Sequence, residues 1–155
     1  MNRRAIGIAL VVVQFVLLAA LVLLPWTTPF WERSPVAFAI GGTLALAGAV
    51  IAVLGVVGLG RSLTANPVPL DESELVTGGL YGLVRHPIYS GLLLAGLGVM
   101  LVAATSWHLV AWAALVALLM TKARWEERML FERYQDYADY ARRTGRFVPG
   151  IGRIG

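Results

Sequence analysis

Residues 86–121 read HPIYSGLLLAGLGVMLVAATSWHLVAWAALVALLMT, and these 36 positions contain no Asp, Glu, Lys or Arg. One straight helix of that length would extend about 54 Å, whereas the hydrocarbon core of a bilayer is roughly 30 Å thick. The stretch therefore predicts two membrane-spanning helices, at residues 88–103 and 108–121. We expect the turn between them near Ala104-Thr105-Ser106-Trp107-His108.

Two further uncharged stretches precede this one, at residues 5–31 and 34–60. They predict spans at residues 5–24 and 36–59, the first ended by the prolines that follow it. The first span is longer than the apolar core of a cleaved signal peptide, so we interpret it as retained. The chain has 155 residues, of which 58% are hydrophobic and 14% charged. We predict one all-α domain over residues 1–155, a polytopic integral membrane protein with about four spans.

Small residues recur every four positions in the second span, at Gly41, Ala45 and Ala49. Small side chains allow two membrane helices to approach closely. We interpret this stripe as a helix-packing surface and not as a ligand site.

The remaining charged sequence falls into a connector at residues 61–87 and a tail that begins at Lys122. The tail alternates aromatic and charged residues, which predicts an amphipathic helix over residues 122–144 that continues the fourth span. Four spans place both termini, the connector and the tail on one side of the membrane. Because that side carries nearly all the arginines, the positive-inside rule makes it cytoplasmic.

The connector ends in a polar motif at the mouth of the third span, in the sequence LVTGGLYGLVRHPIYSG at residues 75–91. Arg85 offers a planar fork of donors to a carboxylate, and His86 can donate or accept near neutral pH. Pro87 suits the first turn of a helix, and Gly91 leaves room for a close neighbour. The alternative is that Arg85 anchors the membrane interface and His86 lies among the headgroups.

A second motif, KARWEER at residues 122–128, follows the fourth span. Its adjacent carboxylates, Glu126 and Glu127, point about 100° apart on a helix and can serve different partners. One can accept hydrogen bonds from ribose hydroxyls or an amine, and the other can pair with Arg85, Arg124 or Arg128. The alternative is a solvated charged face.

Taken in order, the two motifs resemble the isoprenylcysteine carboxyl methyltransferases and the related phospholipid methyltransferases. The resemblance extends from about residue 58 to residue 149 and includes the tyrosines and arginines of the tail. It implies S-adenosyl-L-methionine as methyl donor and a hydrophobic or lipid-linked methyl acceptor. The resemblance also implies Arg85 and Arg143 as catalytic residues, and a donor site formed by nine residues: Val76, Tyr81, Arg85, His86, Pro87, Tyr89, Gly91, Glu126 and Glu127.

Two other functions remain open from the sequence. A membrane NADPH-dependent reductase of the steroid reductase type carries a similar Arg-His-Pro motif, although the Glu-Glu pair favours methyl transfer. A non-enzymatic membrane scaffold would use the charged tail to bind lipid. The chain has no cysteine, and its two histidines are expected at opposite membrane faces, so we predict no metal site. The positive charge is explained by membrane orientation, so no nucleic-acid partner is expected.

Overall fold

A computed structural model describes residues 2–60 and 75–154 of the chain. In these ranges the protein is all-helical, and only isolated β-bridges occur outside the helices. The five α-helices are α1 (Arg3–Leu23), α2 (Pro35–Leu59), α3 (Pro87–Ala103), α4 (Ser106–Arg133) and α5 (Tyr137–Arg143), and a 3₁₀ turn (Gly79–Gly82) precedes α3. Helices α1, α2 and α4 are long and apolar enough to cross a membrane, and α3 is a shorter apolar helix. The predicted fold class is confirmed.

The tight turn between α3 and α4 lies within the predicted segment. Ala104 adopts a left-handed conformation with φ 54° and ends α3. Thr105 then caps α4, because its hydroxyl accepts a hydrogen bond from the backbone N–H of His108. At the same end of the bundle, Ser34 caps α2 ahead of Pro35.

Helices α2 and α3 pack antiparallel along a seam of small residues. A Cβ added to Gly41 would lie 2.7 Å from the carbonyl oxygen of Gly98, and one added to Gly55 would lie 2.9 Å from the side chain of Ile88. The glycines of α2 that are buried in this seam recur every seven residues, at Gly41, Gly48 and Gly55. This spacing keeps one face of a helix against its partner over several turns.

The prediction of a packing stripe at Gly41, Ala45 and Ala49 is therefore partly wrong. Gly41 and Ala45 lie in the seam, but Ala49 is exposed. A strict four-residue spacing drifts around an α-helix, whereas alternating four- and three-residue steps do not. Gly48 and Ala52 take the places that a straight seam requires.

Helix α1 packs antiparallel against α4. Leu21 forms a core with Ala111, Leu115 and Leu119 near one end of the bundle. At the opposite end, Arg3 pairs with Glu132 at 3.0 Å. The start of α1 and the end of α4 therefore lie at the same end of the bundle, and the contact of Tyr89 with Glu126 places the start of α3 there as well.

The helix predicted over residues 122–144 is interrupted. Helix α4 continues past the apolar segment to Arg133, as expected, but Tyr134 adopts an extended conformation with φ −111° and ψ 118°. Helix α5 then begins at Tyr137 and packs Tyr137 and Tyr140 against Leu75 and Leu130. A straight helix would have carried these tyrosines away from the bundle. Burial of their rings accounts for the break.

Candidate functional site

The end of the connector is joined to the C-terminal segment through the backbone. The N–H of Arg85 donates to the carbonyl of Gly145 at 2.8 Å, and the N–H of His86 donates to that of Arg146 at 3.1 Å. Two stretches that are 60 residues apart in the chain therefore lie side by side as a short parallel bridge between Val84 and Gly145. This bridge fixes the polar motif that begins α3 beside the segment that follows α5.

Arg85 is only 4% exposed, and its guanidinium is held from several sides. Its Nε donates to Oε1 of Glu127 at 2.9 Å, and its Nη1 donates to the carbonyls of Ala141, at 3.0 Å, and Thr144. Its Nη2 donates to the carbonyl of Gly152 at 2.8 Å. Gly152 has φ 78°, in the left-handed region that favours glycine. Arg85 thus ties α4, α5 and the final turn of the chain together.

Glu127 is the centre of this ion network. Besides Arg85, it accepts from Arg146, whose Nη2 lies 2.7 Å from Oε2 and whose Nε lies 3.1 Å from both oxygens. The Nε2 of His86 lies 3.2 Å from Oε1. Of the three arginines considered as partners, Arg85 contacts this carboxylate, whereas Arg124 and Arg128 are exposed. Both oxygens of Glu127 are occupied by nitrogen donors.

Glu126 has a different environment, as the 100° offset between neighbouring helical residues predicts. It accepts a short hydrogen bond from the hydroxyl of Tyr89, and its Oε2 lies 3.5 Å from Nδ1 of His86. The ring of His86 stacks on that of Tyr89 with centroids 5.3 Å apart and planes 3° apart. His86 therefore bridges the two carboxylates, and Glu126 retains lone pairs for a further donor.

Two tyrosines, one in the 3₁₀ turn and one in α5, close the polar end of the bundle. The hydroxyl of Tyr81 donates to the carbonyl of Gly55 at 3.2 Å, and that of Tyr140 donates to the carbonyl of Tyr81 at 2.6 Å. Burial, and secondarily the negative charge of Glu126, raises the pKa of Tyr81 to about 12. Burial also raises the pKa of Tyr140 above its usual range. Both hydroxyls therefore stay protonated near neutral pH and act as donors.

The other predicted site residues lie outside the network around Glu127. Pro87 is buried at the first turn of α3, and Val76 is half-buried in the segment before the 3₁₀ turn. Gly91 lies in the seam, where an added Cβ would be 2.5 Å from the carbonyl oxygen of Gly48. Arg143 is exposed on α5, and its Nε donates to the carbonyl of Asp139 at 3.2 Å. The structure does not bring Arg143 into the network around Glu127.

Three residues of this region were not predicted as site residues from the sequence: Arg146, Gln14 and Lys122. Arg146 lies in a Gly-Arg-Phe stretch with no helical periodicity, so only the backbone bridge reveals its place beside Glu127. Gln14 and Lys122 form a buried pair, with Lys122 Nζ 2.8 Å from Gln14 Oε1. A polar residue inside an apolar span is a signal in itself, because such a residue needs a partner. Most of the connector, residues 61–74, lies outside the described residues.

The model of a protein family described as phospholipid methyltransferase matches residues 36–137. This range contains all but the first residue of α2 and both polar motifs, and it covers most of the chain. The chain belongs to the phospholipid methyltransferase family.

The curated relatives of this family member include metal-resistance proteins and isoprenylcysteine O-methyltransferases. One is the cobalt-zinc-cadmium resistance protein CzcN of Cupriavidus metallidurans, 35% identical over 155 aligned residues, which cover 97% of this chain and 66% of that protein. Another is the protein-S-isoprenylcysteine O-methyltransferase B of Arabidopsis thaliana, 26% identical over 97% of this chain and 75% of that protein. A probable protein-S-isoprenylcysteine O-methyltransferase of rice, Oryza sativa subsp. japonica, is 29% identical over 72% of this chain and 61% of that protein. The resemblance read from the two motifs is confirmed at the level of the family.

The chain spans about two thirds of the length of the resistance proteins that it matches. The names of those two proteins concern metal resistance, whereas the plant relatives are named as methyltransferases. Within the described residues, no group of three or more His, Asp or Glu side chains is arranged to hold a metal ion.

Proposed function

We propose that this protein transfers a methyl group from S-adenosyl-L-methionine to a lipidic or isoprenoid-type acceptor at the cytoplasmic face of the membrane. The observation that carries the proposal is the contact between Arg85 of the first motif and Glu127 of the second, at 2.9 Å in a buried network. The two motifs by which the chain resembles methyltransferases form a single site. Family membership and the names of the plant relatives support the same chemistry.

The described residues fit a cationic nucleoside donor. Glu126 has a side chain that is 13% exposed and lone pairs left over from Tyr89 and His86, so it suits an ammonium or a ribose hydroxyl. The hydroxyl of Tyr137 is buried without a hydrogen-bond partner among the described residues, and a polar ligand beside it would supply one. The nine residues that the resemblance implies remain our proposal for the donor site. For Gly91, the proposed role is indirect, through the seam.

Bound S-adenosyl-L-methionine would supply a methyl group already activated on a sulfonium. What the protein must add is alignment of the reacting atoms and exclusion of water. Glu127 is fully engaged by Arg85, His86 and Arg146, so we assign it a positioning role and not that of a general base. The same network holds Glu126 and Tyr89 in place through His86. A catalytic role for Arg143 remains a proposal from the resemblance alone.

The orientation of the protein in the membrane follows from the distribution of its arginines between the two ends of the bundle. The end of the bundle that carries the network also carries Arg3, Arg142 and Arg143, whereas Arg33 lies at the opposite end beside the carbonyl of Ala103. By the positive-inside rule we place the network and both termini in the cytoplasm. A water-soluble donor is accessible on that side, and an apolar acceptor is accessible from the bilayer.

Incubation of the purified protein with a deuteromethyl-labelled donor and a membrane lipid extract tests the proposal. We expect at least one lipid-soluble product that carries three deuterium atoms, detected by mass spectrometry. An Arg85→Gln variant should form far less of this product, because the network around Glu127 loses its buried cation. Heat-inactivated protein is the background control.

A lack of labelled product with lipid extracts of several compositions, from protein that stays folded, would contradict methyl transfer. Reduction of a lipid by NADPH in the same preparation would favour the hypothesis of a membrane reductase instead. If neither reaction occurs and the charged tail still binds lipid vesicles, the hypothesis of a non-enzymatic scaffold is favoured.

A further inference from the structure

A buried lysine and a buried glutamine lie next to the network around Glu127 but take no part in it. Lys122, the only lysine of the chain, is 4% exposed, and Gln14 of α1 is 8% exposed. The Nζ of Lys122 donates to Oε1 of Gln14 at 2.8 Å. An ionisable side chain inside a membrane bundle is costly, so a function is the default hypothesis for it. Its partner comes from α1, which lies outside the residues that the family model matches.

Lys122 and Glu126 belong to one group of side chains. They are four residues apart on α4, and residues at this spacing are neighbours on a helix surface. Tyr89 of α3 contacts both, because its ring centroid lies 4.9 Å from Nζ of Lys122 and its hydroxyl donates to Glu126. The ammonium therefore lies within electrostatic range of the carboxylate that we propose for the methyl donor.

Apart from Lys122, no group near Glu126 within the described residues supplies a cation of its own. His86 lies 3.5 Å from Glu126 through Nδ1 and 3.2 Å from Glu127 through Nε2. A neutral imidazole has one N–H and donates to only one of these carboxylates. The two arginines of the network contact Glu127 and not Glu126. The tyrosines that interact with Glu126 are uncharged and come from the 3₁₀ turn, α3 and α5: Tyr81, Tyr89 and Tyr137.

Gln14 limits what the ammonium of Lys122 can contact. An ammonium bonded directly to Glu126 would occupy the lone pairs that a donor needs. Instead, the amide oxygen of Gln14 accepts one of its N–H groups on the side of α1. The ammonium then acts on the carboxylate through its charge, while the remaining lone pairs of Glu126 stay available to a ligand.

We propose that Lys122, held by Gln14, is a positioning residue that keeps the carboxylate of Glu126 ionised and open to the methyl donor. This inference rests on the proposed function. A buried carboxylate without a nearby cation takes up a proton, because burial disfavours its charged form. The ionised group accepts at both oxygens, as the ammonium and the ribose hydroxyls of the donor require, whereas the protonated group presents an O–H of its own. Lys122 and Gln14 act on the donor through Glu126.

The affinity for S-adenosylhomocysteine as a function of pH tests this assignment, by calorimetry with the full-length protein in nanodiscs. From about pH 8 to about pH 6, the affinity of Lys122→Met should fall relative to the unmodified protein by up to about tenfold per unit of pH, because binding requires the deprotonated carboxylate. Lys122→Arg should restore the original pH profile. Arg124→Met removes an exposed cation from the same helix and should leave the profile unchanged. The titration of His86 is common to all these proteins and cancels in the comparison.

Gln14→Leu should weaken binding in a different way. It frees the ammonium of Lys122 to bond directly to Glu126 and compete with the ligand, so the affinity should fall to a similar extent at every pH. Added to Lys122→Met, Gln14→Leu should have little further effect on affinity, since the two residues act as a unit.

Melting temperatures without ligand show which variants are folded, and Lys122→Gln, which can still donate to Gln14, replaces Lys122→Met if that variant does not fold. A folded neutral variant with the original pH profile would overturn the assignment. So would an equal loss of its affinity at every pH, because that result indicates direct contact of Lys122 with the donor. An unchanged affinity of Gln14→Leu would overturn the role of Gln14. A lack of S-adenosylhomocysteine binding by the unmodified protein would overturn the proposed function itself.

Discussion

Glu127→Gln is expected to abolish donor binding and methyl transfer and to destabilise the protein by about 3–5 kcal/mol. The carboxylate accepts hydrogen bonds from Arg85, His86 and Arg146 in a buried site. The neutral amide removes the compensating charge for two guanidinium groups and gives them an NH₂ group where they require an acceptor. Arg85 also holds the carbonyls of Ala141 and Thr144, so α5 should loosen as well.

The measurement is denaturation in detergent micelles, combined with titration of S-adenosylhomocysteine. Glu132→Gln is the matched control, since it makes the same chemical change on the same helix. Glu132 pairs with Arg3 at the surface, where both side chains are about 60% exposed, so its loss should cost less than about 1 kcal/mol. Equal effects of the two substitutions would show that the buried network does not stabilise this end of the bundle.

Gly91→Ala is expected to destabilise the protein by about 1–3 kcal/mol through the seam between α2 and α3. An added Cβ would lie 2.5 Å from both the carbonyl oxygen of Gly48 and the backbone nitrogen of Ala52. Neither atom can move without shifting a helix. Because α3 carries His86 and Tyr89 at its start, separation of the helices should also lower methyl transfer.

Gly42→Ala is the control for this prediction, because nothing lies within 4 Å of a Cβ added there. It should be neutral or slightly stabilising, as alanine is the better helix former. Both variants are compared by denaturation in micelles and by affinity for S-adenosylhomocysteine. If Gly91→Ala keeps full stability but loses donor affinity, Gly91 contacts the donor directly and its assignment to the seam is wrong.

The helices were predictable from the sequence because a long apolar stretch without charge has few stable conformations in a bilayer other than a spanning helix. The turn at Ala104 and Thr105 followed from a run that is too long for one crossing. The break at Tyr134 was not predicted, since residues 122–144 keep a helical pattern throughout. What ends α4 is the burial of Tyr137 and Tyr140 against Leu75 of the connector and Leu130 of α4, a tertiary effect that periodicity does not contain.

The candidate site was predictable in its parts but not in its assembly. Arg85, His86 and the two glutamates were identified from their motifs, and the different surroundings of Glu126 and Glu127 follow from helical geometry. Arg146 was missed in favour of Arg143, because the choice depends on a backbone bridge between distant segments. Gln14 was missed because one amide in an apolar span has no spacing that points to Lys122, its partner 108 residues away.

The most direct test of the account is the change in melting temperature of the purified protein in nanodiscs on addition of S-adenosylhomocysteine or NADPH. A ligand at a hundred times its Kd stabilises the native state by about 2.7 kcal/mol. We predict a saturable rise with S-adenosylhomocysteine, its loss in Glu127→Gln and its retention in Glu132→Gln. A rise with NADPH alone, or a S-adenosylhomocysteine effect that survives in folded Glu127→Gln protein, would contradict a donor site built on this network.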